Sequence, residues 1–532
     1  MTLRKKIQLI GCLLLAVCYG NLAANPSVSQ REKVTVDTLA ILSFNDFHGA
    51  FPKDHAYPGA ASMVQEILNE QQKYNNSIVL AGGDNCSGSY FARVTQGEPL
   101  PELFRITHVE ASAVGNHEFD WGIDYLKQAA HDYLRPVSAN ITTDGVNLPD
   151  WLPPYRIVER TLKSGQIYRT AIIGLTTITT PTKTSAQHVK GLTFIHPMAA
   201  TTIQTLYNLK KEGRIDLIVL LMHISTNMRY PYLVDAYEAK HLPYIEGIDA
   251  IISGHSHKVV LGKVNNVPII QAGANGTHIG KLCFQIRSDG KQAETSYIGG
   301  DTLRVTASAH PQMEQMVQQV MDEKQLSKKL TVAEDTLVHN SNVPGNKYSY
   351  TTIGAYVTAS YADHFKKTGP EAYRSLPVIG VNHYGGLRNS LYPGEVTTLR
   401  AGNILPFCGE LLAYKFTGKR LKQLLNAGRH NYTGYLQTSG VALQLNEKGD
   451  IDKIFQGGKE LTDDMPCVVV LDNFITTGGD GYDETLFTGY EIEEYNQQKF
   501  VTTTVFIDYL SSAACRPALS VKRAPVPQII EK

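Results

Sequence analysis

From residue 38 to about residue 290, short apolar runs recur between polar and helical stretches. Leu39 to Phe44, Ile78 to Ala81, Val109 to Val114, Ala171 to Leu175, Ile215 to Met222 and Ile248 to Ile252 are short and continuously apolar, and read as strands. They alternate with helical spacing over Ala61 to Lys73 and Ile123 to Tyr133. Val267 to Gln271 and Lys281 to Ile286 read as later strands. Strands with little polar alternation are covered on both faces, which predicts an α/β domain. Met313, Met316, Val317, Val320 and Met321 fall at helical spacing and predict a connecting helix over residues 309–330. A second domain follows over about 331–520. It has strands at Leu376 to Val381, Ala413 to Phe416 and Cys467 to Leu471, and a helix at Gly418 to Ala427. The last ten residues read as a loose tail.

Length agrees with that division, because 532 residues exceed what one ordinary core holds. Hydrophobic residues at 42% and charged residues at 19% fit a globular chain. Lys+Arg and Asp+Glu both total 50, and a net charge of zero argues against a nucleic-acid polymer as partner. The first residues have a different character. Arg4, Lys5 and Lys6 precede an apolar stretch from Ile10 to Val17, and small residues follow at Gly20, Ala23 and Ala24. This is the layout of an export signal over residues 1–24, too short for a stable membrane span. It predicts a periplasmic, cell-surface or secreted protein. Val17 before Cys18 makes a lipid anchor the poorer fit. The five remaining cysteines, Cys86, Cys283, Cys408, Cys467 and Cys515, show no CxxC spacing and predict no disulfide framework.

Polar residues collect just after the apolar runs, at the carboxyl ends of strands, where open α/β sheets bind ligands. The segments are Asn45-Asp46-Phe47-His48, then Gly82-Gly83-Asp84-Asn85, then Gly115-Asn116-His117-Glu118-Phe119-Asp120-Trp121-Gly122. His223 and Ser253-Gly254-His255-Ser256-His257 follow. Singly, each has an ordinary explanation. Asp46-x-His48 fits a turn, His223 a core histidine, and Gly115 to Glu118 a capped strand-to-helix turn. All five in order are harder to explain that way. Set apart from His117, the residues Asp46, His48, Asp84, Asn116, His223, His255 and His257 supply the nitrogen and oxygen donors that suit two borderline divalent ions. Two ions about 3.5–4 Å apart need a bridging carboxylate. Asp84, after two glycines, is the natural bridge. Asp120, three residues past His117, is close enough to hold its imidazole.

The second domain has polar, glycine-rich segments of its own. They are Asn382-His383-Tyr384-Gly385-Gly386-Leu387-Arg388, Pro406-Phe407-Cys408-Gly409 and Asn473 to Gly481. Phe407 and Phe474 could be core residues beside ordinary turns. They could equally sandwich a planar base, with stacking worth about 1–3 kcal/mol per base. Arg388 could contact phosphate through two donors, and the Asp480 carboxylate could accept from ribose hydroxyls.

The ordered set D-x-H, G-G-D, G-N-H-E, a lone His and G-H-x-H resembles the calcineurin-like metallophosphoesterases. The segment from Gly115 to Gly122 is similar to their 5′-nucleotidase branch, which includes secreted bacterial UDP-sugar hydrolases and animal ecto-5′-nucleotidases. The resemblance implies an α/β (α+β) chain with a four-layer αββα metallophosphoesterase domain over 36–305, a linker helix over 306–330 and an α/β substrate-binding domain over 331–520. It implies one divalent ion (Zn, Mn, Fe or Co) on Asp46, His48, Asp84 and His257, and a second on Asp84, Asn116, His223 and His255. It leaves His117 as the catalytic non-ligand, oriented by Asp120, acting on phosphoryl oxygens during attack by a metal-activated water. It places Asn382, Arg388, Phe407, Phe474 and Asp480 around a small-molecule nucleotide, with closure of the two domains about a hinge near the linker helix. Glu118 receives no chemistry, and Phe119 and Trp121 read as packing.

Three departures bear on substrate range. The Asn382 to Arg388 segment is one residue longer than the family pattern N-x-G-G-[IL]-R, which can displace Asn382. Cys408 follows Phe407, so the expected glycine comes one place late. The stretch Asn346-Lys347-Tyr348-Ser349-Tyr350 has no arginine where the family uses one. The implied reaction is removal of the 5′-phosphate of nucleotides. The alternatives are hydrolysis of UDP-sugars, of 2′,3′-cyclic nucleotides or of 3′-nucleotides, and a non-catalytic surface binding protein on a dead phosphatase fold.

Overall fold

The computed structural model describes residues 34–55, 57–226, 238–339, 348–512, 515 and 518–530. The expected leader at residues 1–24 lies outside the described residues, as do Asn346 and Lys347.

The first domain is built on two six-stranded sheets. Its strands are β1 (Thr35–Phe44), β2 (Asn76–Ala81), β3 (Val109–Ala113), β4 (Pro136–Val137), β5 (Tyr155–Thr161), β6 (Ile167–Thr176), β7 (Leu217–His223), β8 (Ala250–Ile252), β9 (Val259–Val264), β10 (Val267–Ala272), β11 (His278–Ser288) and β12 (Ala293–Arg304). One sheet runs β12-β11-β1-β2-β3-β4, and the other β9-β10-β8-β7-β6-β5. Strands β1 to β4 are parallel, as are β6, β7, β8 and β10.

Alternation along the central strands explains the layering. Leu39 and Ile41 of β1 share one core with Leu217, Val219 and Leu221 of β7, so the two sheets pack face to face. Leu42 and Phe44 point the other way, into a core with helices α1 (Ala60–Gln71) and α2 (Leu100–Thr107). On the far side, Ile218, Leu220 and Met222 pack with helix α3 (Thr202–Lys211). The result is the four-layer αββα arrangement. Every central strand has a covered residue on each face, which is why the runs look uniformly apolar in sequence.

Helix α4 (Pro311–Glu323) starts with Pro inside its first turn, a position where a missing N–H costs nothing. It is shorter than the helix expected over 309–330. Gln325 adopts a left-handed φ of 52°, which ends the helix, and β13 (Lys329–Ala333) follows. The end of the expected linker therefore belongs to the second domain's sheet structure. That domain continues through α5 (Thr352–Thr368), β14 (Val378–Asn382), β15 (Gly394–Thr397), β16 (Leu411–Thr417), α6 (Gly418–His430), β17 (Gln437–Thr438), β18 (Ala442–Leu445), β19 (Ile451–Gln456), β20 (Lys459–Glu460), β21 (Pro466–Asp472), α7 (Thr502–Ser511) and β22 (Gln528–Ile530). Its sheets run β13-β15, β16-β21-β14-β17 and β20-β19-β18-β22. Helix α5 lies directly on β14. A Cβ on Gly380 would sit 1.9 Å from the Thr358 carbonyl oxygen, so only glycine fits there. The expected loose tail is a correction as well. Gln528 to Ile530 pair in parallel with Ala442 to Gln444, which satisfies the edge of that sheet.

The domains meet over the carboxyl ends of β1, β2 and β3. Leu399 of the second domain is buried in the helix-side core of the first. Asn403 accepts from the Tyr90 backbone N–H at 2.9 Å, and Leu399 donates its own N–H to the Leu326 carbonyl at 2.9 Å. Among the described residues, no helix is long and apolar enough to cross a membrane.

Candidate active site

The five loops that carry the expected ligands converge in one place. Asp46 and His48 leave the end of β1, Asp84 the end of β2 and Asn116 the end of β3. His223 is the last residue of β7, and His255 and His257 follow β8. Five of these seven hold left-handed backbone: Asp46 (φ 49°), His48 (52°), Asp84 (53°), His255 (75°) and His257 (57°). Non-glycine residues seldom adopt this region, and they keep it where surrounding contacts over-determine it. Here the loops are stitched together. Asp46 donates its N–H to the Gly83 carbonyl at 2.9 Å, and His48 to that of Asp84 at 2.9 Å. His255 donates its N–H to both Asp46 oxygens, at 3.1 and 3.0 Å.

Among the described residues two donor groups hold the expected ligands, Asp46, His48 and His257, and Asp84, His223 and His255, and a third joins His48 and Asp84 to His117, each with its ligand atoms within 4.8 Å of one another. In the first, His48 Nε2 lies 3.0 Å from His257 Nε2, which is 3.3 Å from Asp46 Oδ1. In the second, His223 Nε2 lies 3.0 Å from Asp84 Oδ2 and 3.2 Å from His255 Nδ1. Asp84 Oδ2 is also 4.0 Å from His48 Nε2, so the carboxylate stands between the groups. Carbonyls fix two of the tautomers. His48 Nδ1 donates to the Ser87 carbonyl and His223 Nδ1 to that of Gly82, both at 2.8 Å. That leaves Nε2 of each ring facing the cluster, the orientation of an imidazole set for a metal.

Asn116 is the seventh candidate. Its Oδ1 is buried and has no hydrogen-bond partner. A buried acceptor without a partner costs about 1–3 kcal/mol, and a cation would remove that cost. The charge states point the same way. Burial pushes Asp84 up, but His223 and His117 outweigh it and hold the carboxyl well below its usual range. Asp46 is likewise held at about 2, chiefly by His257 and His223 against burial. Burial and neighbouring charge bring His255 down to about 3 and His48 well below its ordinary value. His223 runs the other way: burial lowers it, but Asp84 and Asp46 outweigh burial and draw it up to about 10, so beside these carboxylates the ring keeps a proton that a bound cation would replace. Anionic carboxylates and neutral imidazoles are the ligand forms that bind metal. The donor set fits divalent ions, with Asp84 available to both.

His117 stands beside this cluster. Its Nδ1 is 2.7 Å from Asp120 Oδ2, and its backbone N–H donates to Asp84 Oδ1 at 2.8 Å. Burial pulls the imidazole pKa down, but the Asp120 and Asp84 carboxylates raise it above the ordinary value. Asp120 is itself held by Ser87 Oγ at 2.8 Å and Thr184 Oγ1 at 3.2 Å. Neither partner carries a local sequence signal. The neighbour Glu118, given no chemistry by its sequence, is a structural clamp. Its carboxylate accepts from the backbone N–H groups of Asp84 (2.8 Å), Asn85 (2.6 Å) and Gly115 (2.7 Å), and so ties the second ligand loop to the third. A Cβ at Gly115 would fall 2.2 Å from Asp84 Oδ1, so the sharp strand end there requires glycine. Phe119 is fully buried and Trp121 packs edge-on against Tyr125, both as packing residues.

The five expected substrate residues divide. Arg388 and Phe407 reach the cluster. Phe407 stacks on the His117 ring, with centroids 5.4 Å apart and planes 7° from parallel, and the Arg388 guanidinium lies 5.6 Å from the Phe407 centroid. Phe474 and Asp480 form a second group around His383, a residue not singled out from sequence. The His383 ring lies 4.7 Å from that of Phe474, and His383 Nδ1 lies 3.4 Å from Asp480 Oδ2. Lys183, from the first domain, is 3.3 Å from Asp480 Oδ1. Asn382 joins neither group. Its amide is buried, accepts from Tyr361 and donates to the His383 carbonyl at 3.0 Å.

Two stacked mixed sheets, loops at the carboxyl ends of their strands and a shared Asp/His/Asn donor cluster define a metallophosphoesterase. Residues 39–259 match the calcineurin-like phosphoesterase family, and residues 327–487 match the 5′-nucleotidase C-terminal domain. The chain belongs to the 5′-nucleotidase family of calcineurin-like metallophosphoesterases, and is a 5′-nucleotidase-like hydrolase. It is 25% identical to a 5′-nucleotidase of Vibrio cholerae over 561 aligned positions, covering 96% of this chain and 97% of the relative. Among solved structures, a 5′-nucleotidase precursor from Thermus thermophilus superposes with a TM-score of 0.72 at 22% identity, over 93% of this chain and 99% of the other. A sulfate thiohydrolase from the same organism superposes with a TM-score of 0.66 at 16% identity, over 92% and 96% of the two chains. At these identities the structural likeness speaks for the fold alone, and one fold carries more than one chemistry.

Proposed function

We propose that the chain is an exported two-metal phosphohydrolase that removes the 5′-phosphate of nucleotides. The convergence of seven ligand-type side chains on one point, with Asp84 between two groups, carries this reading. Asp46, His48, Asp84 and His257 would hold one ion, and Asp84, Asn116, His223 and His255 the other. Bound divalent ions would supply Lewis-acid activation of the attacking water and of the phosphoryl oxygens. The protein's own groups supply positioning and charge. His117, kept cationic by Asp120, faces the charge that spreads over the phosphoryl oxygens. It also stands ready to give a proton to the leaving oxygen. Arg388 brings two N–H donors to the same phosphate. Phe407, Phe474 and Asp480 offer stacking faces and a carboxylate to the nucleoside. The basic, apolar and small-residue layout of residues 1–24 supports export. A non-catalytic binding protein would have no use for a catalytic imidazole clamped beside an intact ligand set.

The test is hydrolysis of AMP, UDP-glucose, 2′,3′-cyclic AMP and 3′-AMP by the mature chain with added Mn²⁺, Zn²⁺ or Co²⁺, read as release of phosphate from AMP and 3′-AMP, of UMP and glucose 1-phosphate from UDP-glucose, and of the ring-opened monoester from 2′,3′-cyclic AMP. Release from AMP exceeding that from the other three supports the 5′-nucleotidase reading. Preference for another substrate reassigns the reaction within the class, and release from none contradicts a phosphohydrolase.

A further inference from the structure

In the turn after β14, one side chain stands where part of a nucleoside would go. His383 is buried, stacks on Phe474 at 4.7 Å with planes 26° apart, and points Nδ1 at Asp480 Oδ2 across 3.4 Å. The other Asp480 oxygen faces Lys183 at 3.3 Å. The Asp480 carbonyl accepts from Asn431 at 3.1 Å, which holds the residue in its left-handed conformation (φ 53°). Phe407 is covered as well, by His117 and Arg388.

A nucleoside would ask two things of this wall: an aromatic face for its base and a carboxylate for its ribose hydroxyls. The imidazole of His383 takes both. It is a flat ring that stacks on Phe474 and a ring N–H that reaches Asp480. A base approaching that face, or a diol approaching that carboxylate, has to displace it. The phosphate end meets no such competitor. We propose that His383 is a specificity-determining residue that competes with the nucleoside for Phe474 and Asp480. The enzyme then draws its selectivity from the phosphate end and accepts phosphate monoesters of small sugars alongside 5′-nucleotides. This rests on the phosphohydrolase reading above.

The experiment compares metal-loaded wild type with His383→Ala and His383→Gln. It measures kcat/KM for AMP and for ribose 5-phosphate, and adenosine affinity by calorimetry. Wild type should favour AMP over ribose 5-phosphate by less than about tenfold, little of the binding energy coming from the base. Freeing the Phe474 face should raise that ratio about fivefold or more and tighten adenosine binding to match. Glutamine keeps a hydrogen-bonding group near Asp480 without the ring, so its ratio should rise as well. A wild-type preference for AMP above about a hundredfold would overturn the proposal without any variant. So would an unchanged or lower ratio in both variants, or weaker adenosine binding, which would make His383 a packing residue or a nucleoside ligand. If wild type releases phosphate from neither ester, the phosphohydrolase reading fails. The adenosine titration then still decides the role of His383.

Discussion

His117 and Glu118 are adjacent in sequence and differ in what their side chains serve. The His117 ring faces Asp120 and the Asp/His donor cluster, whereas the Glu118 carboxylate faces three backbone N–H groups, two on the neighbouring loop and one on its own. His117→Asn should therefore keep the metal content of wild type and lower kcat about 10²–10⁴-fold, as expected for loss of an acid–base group. Elemental analysis beside a steady-state assay reads both quantities, and unchanged turnover would remove the role. Glu118→Gln should act in the opposite order. It puts an NH₂ group against N–H donors, so stability should fall by about 1–3 kcal/mol in chemical denaturation, with weaker metal retention. The seven donor side chains that converge were legible in sequence because each follows an apolar run at a strand end. The roles of Glu118, Ser87, Thr184 and His383 were not, since each has a partner 33 to 97 positions away along the chain. The position of Asn382 follows from the same turn. With one residue more than the family pattern, its amide is used inside its own domain.

Among the elements, α1 and β11 show how a single carboxylate can fasten a helix to a sheet. Glu70, buried on α1, is paired with Lys73 in the turn just past the helix end and with Lys281 of β11 at 3.0 Å. Burial pushes the Glu70 pKa up, but the hydrogen bonds from Lys73 and Lys281 outweigh it and bring it below the ordinary value. A carboxylate with a lowered folded-state pKa stabilises the fold above its unfolded pKa. That stability is lost as pH falls through the folded value. Glu70→Gln should then lower the melting temperature by about 1–3 °C at neutral pH. The gap from wild type should close on acidification below the ordinary carboxylate range, as differential scanning fluorimetry across pH would show. A constant gap would mean that Glu70 acts through packing. The apolar runs announced the eight inner strands of the two sheets because covered faces leave a continuous signature, and the four edge strands, β4, β5, β9 and β12, were not read from them. Helix α4 was read too long because hydrophobic spacing does not register the backbone reversal at Gln325. Strand β22 was missed because its pairing with β18 is made by the backbone and needs no apolar run.

At the scale of the whole molecule, the two domains enclose the candidate active site between them. Phe407 covers His117 from the second domain, Lys183 reaches Asp480 from the first, and Tyr57 donates to Asn389 across the same boundary. Phe407→Ala should raise KM for AMP about 3–10-fold, with the smaller effect on kcat, because it removes an aromatic contact while leaving His117 and Asp120 in place. An unchanged KM would take Phe407 out of the substrate site. The division into two domains was visible in the length and in the break in strand pattern. How they meet was not, because each contact joins residues from separate folds. On the function proposed above, seven side chains hold a pair of divalent ions on which hydrolysis depends. The most direct test is metal content per chain, measured together with AMP turnover before chelation, after chelation and after adding Mn²⁺ or Zn²⁺ back. Two ions per chain, loss of phosphate release on chelation and its recovery with metal are the expected result. A chain that holds no ion, or that hydrolyses AMP equally well after chelation, would contradict it.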